Sequence, residues 1–330
     1  MTDALRFLRY QPERIEWHSH RSDEARERLA ASARVAIHRR LSEGARNFLP
    51  SEHLVNAVNA AIASRSPLLL TGDPGTGKTQ VAYYLEKYFA IPLFHYQVHS
   101  DSSARDLRYD FDAVAYLRDA YLASLHAGKE TKSGLAPAAP PARTDPRYLH
   151  KGKLWQAYEH RGECILLIDE IDKAPRDFPN DLLQELADYR FDHPFPPNPA
   201  IERGDLPPPI VVITSNGERR LPDPFLRRCI VHHIELNEEL LARILGAWAD
   251  EFAARLPPPV QQQALRRFLE LRGRLEKRSR PPGAAELLIW LTVLAAQGVT
   301  ADEIKDAVPL EKLPALDGLI KDHEDYAQLR

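Results

Sequence analysis

The run Gly72-Asp73-Pro74-Gly75-Thr76-Gly77-Lys78-Thr79 has the spacing of a phosphate cradle, G-x-x-x-x-G-K-[ST]. Glycines let the backbone turn sharply, so that successive N–H groups point at phosphate oxygens, and the positive end of a following helix reinforces them. Lys78 has the reach to contact β- and γ-phosphates, and the Thr79 hydroxyl can ligate Mg²⁺. The flanks fit that reading: the apolar run Leu68-Leu69-Leu70 reads as a strand, and Gln80 to Phe89 reads as a helix. The nucleotide-contacting stretch is therefore expected to run from Gly72 to Gln80.

A second constellation lies downstream. Ile165-Leu166-Leu167-Ile168 is an apolar strand that ends in two carboxylates, Asp169 and Glu170. A strand apolar at every position is buried on both faces, and its C-terminal edge is where open α/β sheets bind ligands. Asp169 is placed to hold Mg²⁺ through water, and Glu170 to polarise an attacking water as general base. Asp172 and Lys173 continue the turn, for which a structural role serves equally well. A third apolar strand, Val211-Val212-Ile213-Thr214-Ser215, ends at Asn216, whose amide can bond both a γ-phosphate and the attacking water. With only oxygen ligands in view, Thr79 and Asp169 beside phosphates, the expected cofactors are ATP and Mg²⁺, with Mn²⁺ as a substitute.

These residues need a sheet to hold them. Apolar positions Leu54, Val55, Val58, Ala61 and Ile62 predict an amphipathic helix over 51–65, N-capped by Ser51. Strands are expected at 68–70, 93–98, 164–168, 210–215 and 230–236, with helices between most of them. After Leu236 only helices are expected. Residues 134–147 and the proline-rich 194–209 read as long loops, and the polar run 101–112 as another. Three regions result: an N-terminal helical segment (1–45), an α/β core (46–236) with an insert at about 113–150, and a helical lid (237–330). Within the N-terminal segment, residues 22–41 carry a narrow apolar stripe at helical spacing.

Composition excludes several classes. The 330 residues carry a net charge of −3, with 44% apolar and 28% charged side chains, as in an ordinary globular protein. That balance gives no global basic field for nucleic acid or an acidic membrane. No apolar run approaches the roughly 20 residues of a membrane span, and the N-terminus lacks a signal-peptide layout. Cys164 and Cys229 adjoin apolar runs and read as small core residues of a protein in a reducing, cytoplasmic setting.

Taken in order, Gly72–Thr79, Asp169-Glu170, Thr214-Ser215-Asn216 and Leu221-Pro222-Asp223-Pro224-Phe225-Leu226-Arg227-Arg228 resemble an AAA+ ATPase. The pattern is most similar to the MoxR-like branch of the helix-two-insert clade, over about residues 45 to 295. Pro67–Leu70, Asp106-Leu107-Arg108-Tyr109 and Gly152-Lys153-Leu154-Trp155 agree with it. The resemblance implies a P-loop NTPase fold: a parallel five-stranded sheet with helices on both faces, followed by a small all-helical lid. It also implies a homo-oligomeric ring, usually of six, with ATP bound between neighbours and hydrolysis coupled to a chaperone-like remodelling of a protein partner. In that branch the partner is often a protein with a von Willebrand factor A domain. Asn216 matches sensor 1. Arg228 matches the arginine finger that enters the next subunit's site, with Arg227 as the lesser candidate.

Other readings of the same residues remain open at this stage. One is a restriction-type NTPase subunit in nucleic-acid defence, which the charge balance does not favour. Another is a nucleotide-gated scaffold with little turnover, which would not need Glu170. The family's sensor 2 arginine has no counterpart at the expected helix start, where Gly283-Ala284-Ala285 stand instead; Arg280, just upstream, is the candidate substitute for contacting nucleotide. Arg272, Arg274, Lys277 and Arg278 read as a solvated helix face, with the lining of a subunit contact as the alternative. In the 101–112 loop, Arg108 and Tyr109 are expected to face the ring's central pore, with packing on their own subunit as the alternative for Tyr109.

Overall fold

The computed structural model describes residues 45–127, 141–275, 281–322, 325, 326 and 329. The predicted N-terminal helix within 22–41, and Arg280, Lys277 and Arg278, lie outside the described residues. By compactness the chain divides into two units, one of residues 51–71 and 85–233, the other of the residues up to Pro50, 72–84 and 234–330.

In the first unit, helix α1 (Glu52–Ser64) buries Leu54, Val58 and Ala61. Ser51 caps it, its hydroxyl accepting from the Leu54 N–H at 3.2 Å. The sheet is five-stranded and wholly parallel, in the order β2-β5-β8-β1-β9. Its strands are β1 (Leu68–Thr71), β2 (Leu93–Gln97), β5 (Ile165–Asp169), β8 (Ile210–Ser215) and β9 (Ile230–His233). Every residue of β5 is buried, as are 68–70 of β1 and 211–215 of β8, which is why those strands are apolar without alternation. β9, at the sheet edge, alternates instead and stops at His233, three residues short of the predicted end.

Two small antiparallel pairs flank the sheet, β3 (Tyr109–Phe111) with β4 (Leu149–Lys151), and β6 (Arg190–Phe191) with β7 (Ile201–Glu202). The helices of this unit after α2 (Lys78–Phe89) are α3 (Ala104–Arg108), α4 (Ala113–Ala127), α5 (Lys153–Glu159), α6 (Phe178–Asp181), α7 (Leu183–Asp188) and α8 (Asp223–Leu226). The core joins Leu166, Ile168 and Ile213 of the sheet to Leu107, Leu154, Trp155, Phe178 and Phe225.

The second unit is helical after Ile234: α9 (Glu238–Ala253), α10 (Pro258–Leu275) and α11 (Ala284–Gln297), with short 3-10 turns beyond. Its core packs Leu241, Leu245 and Trp248 of α9 with Phe268 and Leu271 of α10 and with Trp290 and Leu294 of α11. The fold class expected from sequence, a parallel five-stranded P-loop sheet followed by a helical domain, is the one found. No described helix is long and apolar enough to cross a membrane.

Candidate functional site

The phosphate cradle lies in the helical unit's share of the chain. It leaves β1 at Thr71 and enters α2 at Lys78, so strand, loop and helix stand in the order that the motif requires. Gly72 has φ +143°, and a Cβ there would meet the Ile234 carbonyl oxygen at 2.4 Å. Only glycine fits such a position. Lys78 is 5% exposed, and its Nζ donates to the carbonyls of Gly72 at 2.8 Å and Asp73 at 2.7 Å. The loop therefore curls around the ammonium. Thr76, also buried, donates from its hydroxyl to the Asp73 carbonyl at 2.8 Å. Gln80 is half-buried, with its Oε1 buried and without a hydrogen-bond partner.

The sheet unit holds the carboxylates. β5 and β8 run parallel, so Asp169 and Asn216 emerge at the same edge. Thr214 ties them together: its hydroxyl donates to Asp169 Oδ1 at 2.5 Å and accepts the Glu170 N–H at 2.8 Å, using both its capacities. Glu170 sits at φ 60°, ψ 50°, a left-handed conformation uncommon for a residue with a side chain and a feature of functional sites. Its carboxylate accepts from Gln97 Nε2 at 2.7 Å and Asn216 Nδ2 at 3.0 Å, and also from Lys173 Nζ. The Glu170 carboxylate beside it raises the Lys173 pKa. Asp172 is 2% exposed and accepts the backbone N–H groups of Asn216 (3.2 Å) and Glu218 (2.9 Å). It thus fixes the turn that carries Asn216, the structural half of the sequence expectation.

The loop fits the phosphates of a nucleotide. A buried ammonium bonded to loop carbonyls marks where phosphate oxygens belong. Among the described residues, no group of three or more His, Cys, Asp or Glu could hold a metal alone. Mg²⁺ is commonly held by one or two protein oxygens plus phosphates and water, and each unit offers an oxygen of that kind, Thr79 in one and Asp169 in the other.

Arg228 lies at the other edge of the sheet. It precedes β9, whose Ile230 is in register with Leu68 at the start of β1, and it lines a pocket with Arg65, Ser66 and Pro67. Through β1 and β8 that level corresponds to Leu167 of β5. Arg228 and Glu170 are thus about five residues apart along the strands and three strands apart across them, roughly 20 Å in all. Arg227 and Arg228 are both exposed, and neither has an ion pair or side-chain hydrogen bond among the described residues.

Two expectations are corrected. The 101–112 run is not an open loop but contains α3 and β3. Arg108 pairs with Glu185 at 3.1 Å, and Tyr109 packs half-buried against the sheet's core, the alternative reading for that tyrosine. Arg272 is not on a solvated face: it is 8% exposed.

Burial pushes the Glu185 carboxyl from 4.5 up to about 7, against the pull of Arg108, and its Oε2 is buried without a hydrogen-bond partner. The folded pKa lies above the unfolded one, so the contribution is fully present below about 4.5 and is lost as pH rises through about 7. At about 1.4 kcal/mol per unit, the loss is on the order of 3 kcal/mol. Glu185→Gln removes the titration, so the variant should gain stability relative to the parent between pH 5 and pH 8. Urea midpoints at the two pH values give the test; parallel changes in both proteins would refute it.

Sheet and loop together define the fold class, a P-loop α/β domain of AAA type followed by a helical region. Residues 67–228 match the family model described as AAA domain (dynein-related subfamily). That stretch runs from Pro67, just before β1, to Arg228, and includes the loop, Asp169, Glu170, Asn216 and both arginines. No curated protein matches the chain. Among solved structures, the chain is similar to NtrX from Brucella abortus in complex with ADP, at 14% identity and a TM-score of 0.44. The similarity covers 92% of this chain and 61% of that one, so the chain spans less than two thirds of NtrX's length.

Gln97, the bridging role of Thr214 and the burial of Arg272 are not anticipated from sequence. Nothing local marks Gln97, and Thr214 stands there only as part of a motif, because their partners are 73 and 45 residues away.

Proposed function

We propose that the chain is an ATPase of the MoxR-like branch that couples ATP hydrolysis, in a homo-oligomeric ring, to remodelling of a protein partner in the cytoplasm. A protein with a von Willebrand factor A domain fits that branch. The observation that supports hydrolysis is the ordering of Glu170. Three donors and a left-handed backbone fix its carboxylate beside Asn216 at the sheet edge from which the P-loop departs.

In this reading Lys78 and the loop N–H groups between Gly72 and Gln80 bind the phosphates. Thr79 and Asp169 hold Mg²⁺, which when bound neutralises charge on the phosphate oxygens. Glu170 accepts a proton from the attacking water, and Asn216 orients that water. For Glu170 to act as a base, its bond to Lys173 has to open, since the oxygen that accepts from the ammonium is then free to take the water's proton.

Arg228 supports the ring. A side chain roughly 20 Å from its own Glu170 cannot reach the phosphates that this glutamate serves, and its guanidinium is exposed and unpaired. It is available to a neighbour's site, with Arg227 beside it, and a cation so placed is worth about 10³-fold or more in rate. Mixing Arg228→Ala with Glu170→Gln protein, each inactive alone, should restore turnover, because some interfaces then pair an intact finger with an intact base. Mixtures that stay as inactive as their components would overturn action in trans.

A further inference from the structure

The helical unit brings a second cation to the nucleotide-binding loop. Arg272 lies on the last turn of α10, on the same stripe as Phe268, Leu271 and Leu275, all buried. Its Nη1 donates to the Pro282 carbonyl at 2.8 Å, a bond that is itself buried, and its Nη2 lies 3.6 Å from Asp73 Oδ2. One guanidinium thus joins the end of α10, the turn that opens α11 and the second residue of the P-loop. A planar fork of donors suits such a three-way joint in a way that a lysine does not.

The surrounding contacts make the joint close. A Cβ at Gly283 would stand 2.7 Å from the Pro74 carbonyl oxygen, and one at Gly75 would stand 3.2 Å from the Ala285 Cβ. Residues 283–285 lie directly on Pro74 and Gly75, which accounts for the small side chains there where the family places an arginine. The Gly283 N–H donates to Glu286 Oε2 at 3.0 Å, fixing the start of α11.

We propose that Arg272 is a positioning residue of the nucleotide site: through Asp73 and the Pro282 carbonyl, it holds the P-loop in its phosphate-binding shape against the helical domain. The proposal rests on the nucleotide-binding reading of the loop. It assigns Arg272 to the loop itself, not to a phosphate. Asp73 is 61% exposed at its side chain, so its half of the joint can be removed without opening the core. Arg272 is buried, and its removal also strands the Pro282 carbonyl.

The test is a double-mutant cycle on the dissociation constant for Mg-ATP, with full-length Asp73→Asn, Arg272→Gln and the double variant. Asp73→Asn should weaken binding roughly twofold to fivefold, in keeping with a partly exposed ion pair, and Arg272→Gln roughly tenfold. The double variant should be no weaker than Arg272→Gln alone, since both changes remove one joint. Thermal unfolding without nucleotide should leave Asp73→Asn near the parent, so its weaker binding cannot be a folding defect. Additive losses, or unchanged affinity in both single variants, would overturn the joint while leaving nucleotide binding by the parent intact. A parent that binds no ATP would overturn this proposal together with the reading on which it rests.

Discussion

Lys78→Ala should abolish measurable nucleotide binding. The ammonium is 5% exposed and donates to two loop carbonyls, so the same group shapes the cradle and supplies its charge. An ammonium has three N–H donors, so the two loop carbonyls leave one for phosphate, a charge-assisted bond of about 1.5–3 kcal/mol, or roughly a 10- to 10²-fold loss of affinity. The stranded Gly72 and Asp73 carbonyls add to the loss by releasing the loop. Equilibrium dialysis or calorimetry with ATP gives the measurement, and affinity within a few-fold of the parent's would contradict the assigned role.

How legible these elements were depends on whether the cause is local. β5 and β8 could be read because central parallel strands are covered on both faces, and so carry unbroken apolar runs. β9 was overextended to Leu236 because Ile234 and Leu236 are apolar and buried, yet at the edge of the sheet the ladder ends at His233. The P-loop, Asp169, Glu170 and Asn216 were visible because each closes a strand in a motif of a few residues. What organises them was not. Gln97 and Thr214 reach their partners only once β2, β5 and β8 lie side by side. Arg272 is a different kind of miss. Neighbouring Arg274, Lys277 and Arg278 suggested a charged face, whereas the helical spacing from Phe268 through Leu271 to Leu275 already placed Arg272 on the buried stripe.

The second large effect is expected at Glu170. Glu170→Gln keeps the size of the side chain and an oxygen to accept from Gln97 or Asn216, but it removes the proton acceptor. Turnover should fall by about 10²- to 10⁴-fold, the usual worth of a positioned general base. Binding of Mg-ATP should persist, because in the proposed site the loop and Lys78, not Glu170, hold the phosphates. The bond to Lys173 weakens as well, so a small gain in affinity is compatible with the same geometry. Retained binding with lost hydrolysis is the signature that separates a base from a residue needed only for folding. A Gln variant that hydrolyses ATP at the parent rate would remove Glu170 from the chemistry.

The most direct measurement is phosphate release from Mg-ATP by the parent chain, followed as the protein concentration is raised. In the proposed site Lys78, Asp169, Glu170 and Asn216 come from one copy, while Arg228 precedes β9, roughly 20 Å from its own Glu170 across the sheet. The expected result is ATP-dependent phosphate release whose rate per chain climbs with concentration and levels off once the copies are assembled. No phosphate release above background at any concentration would contradict the ATPase.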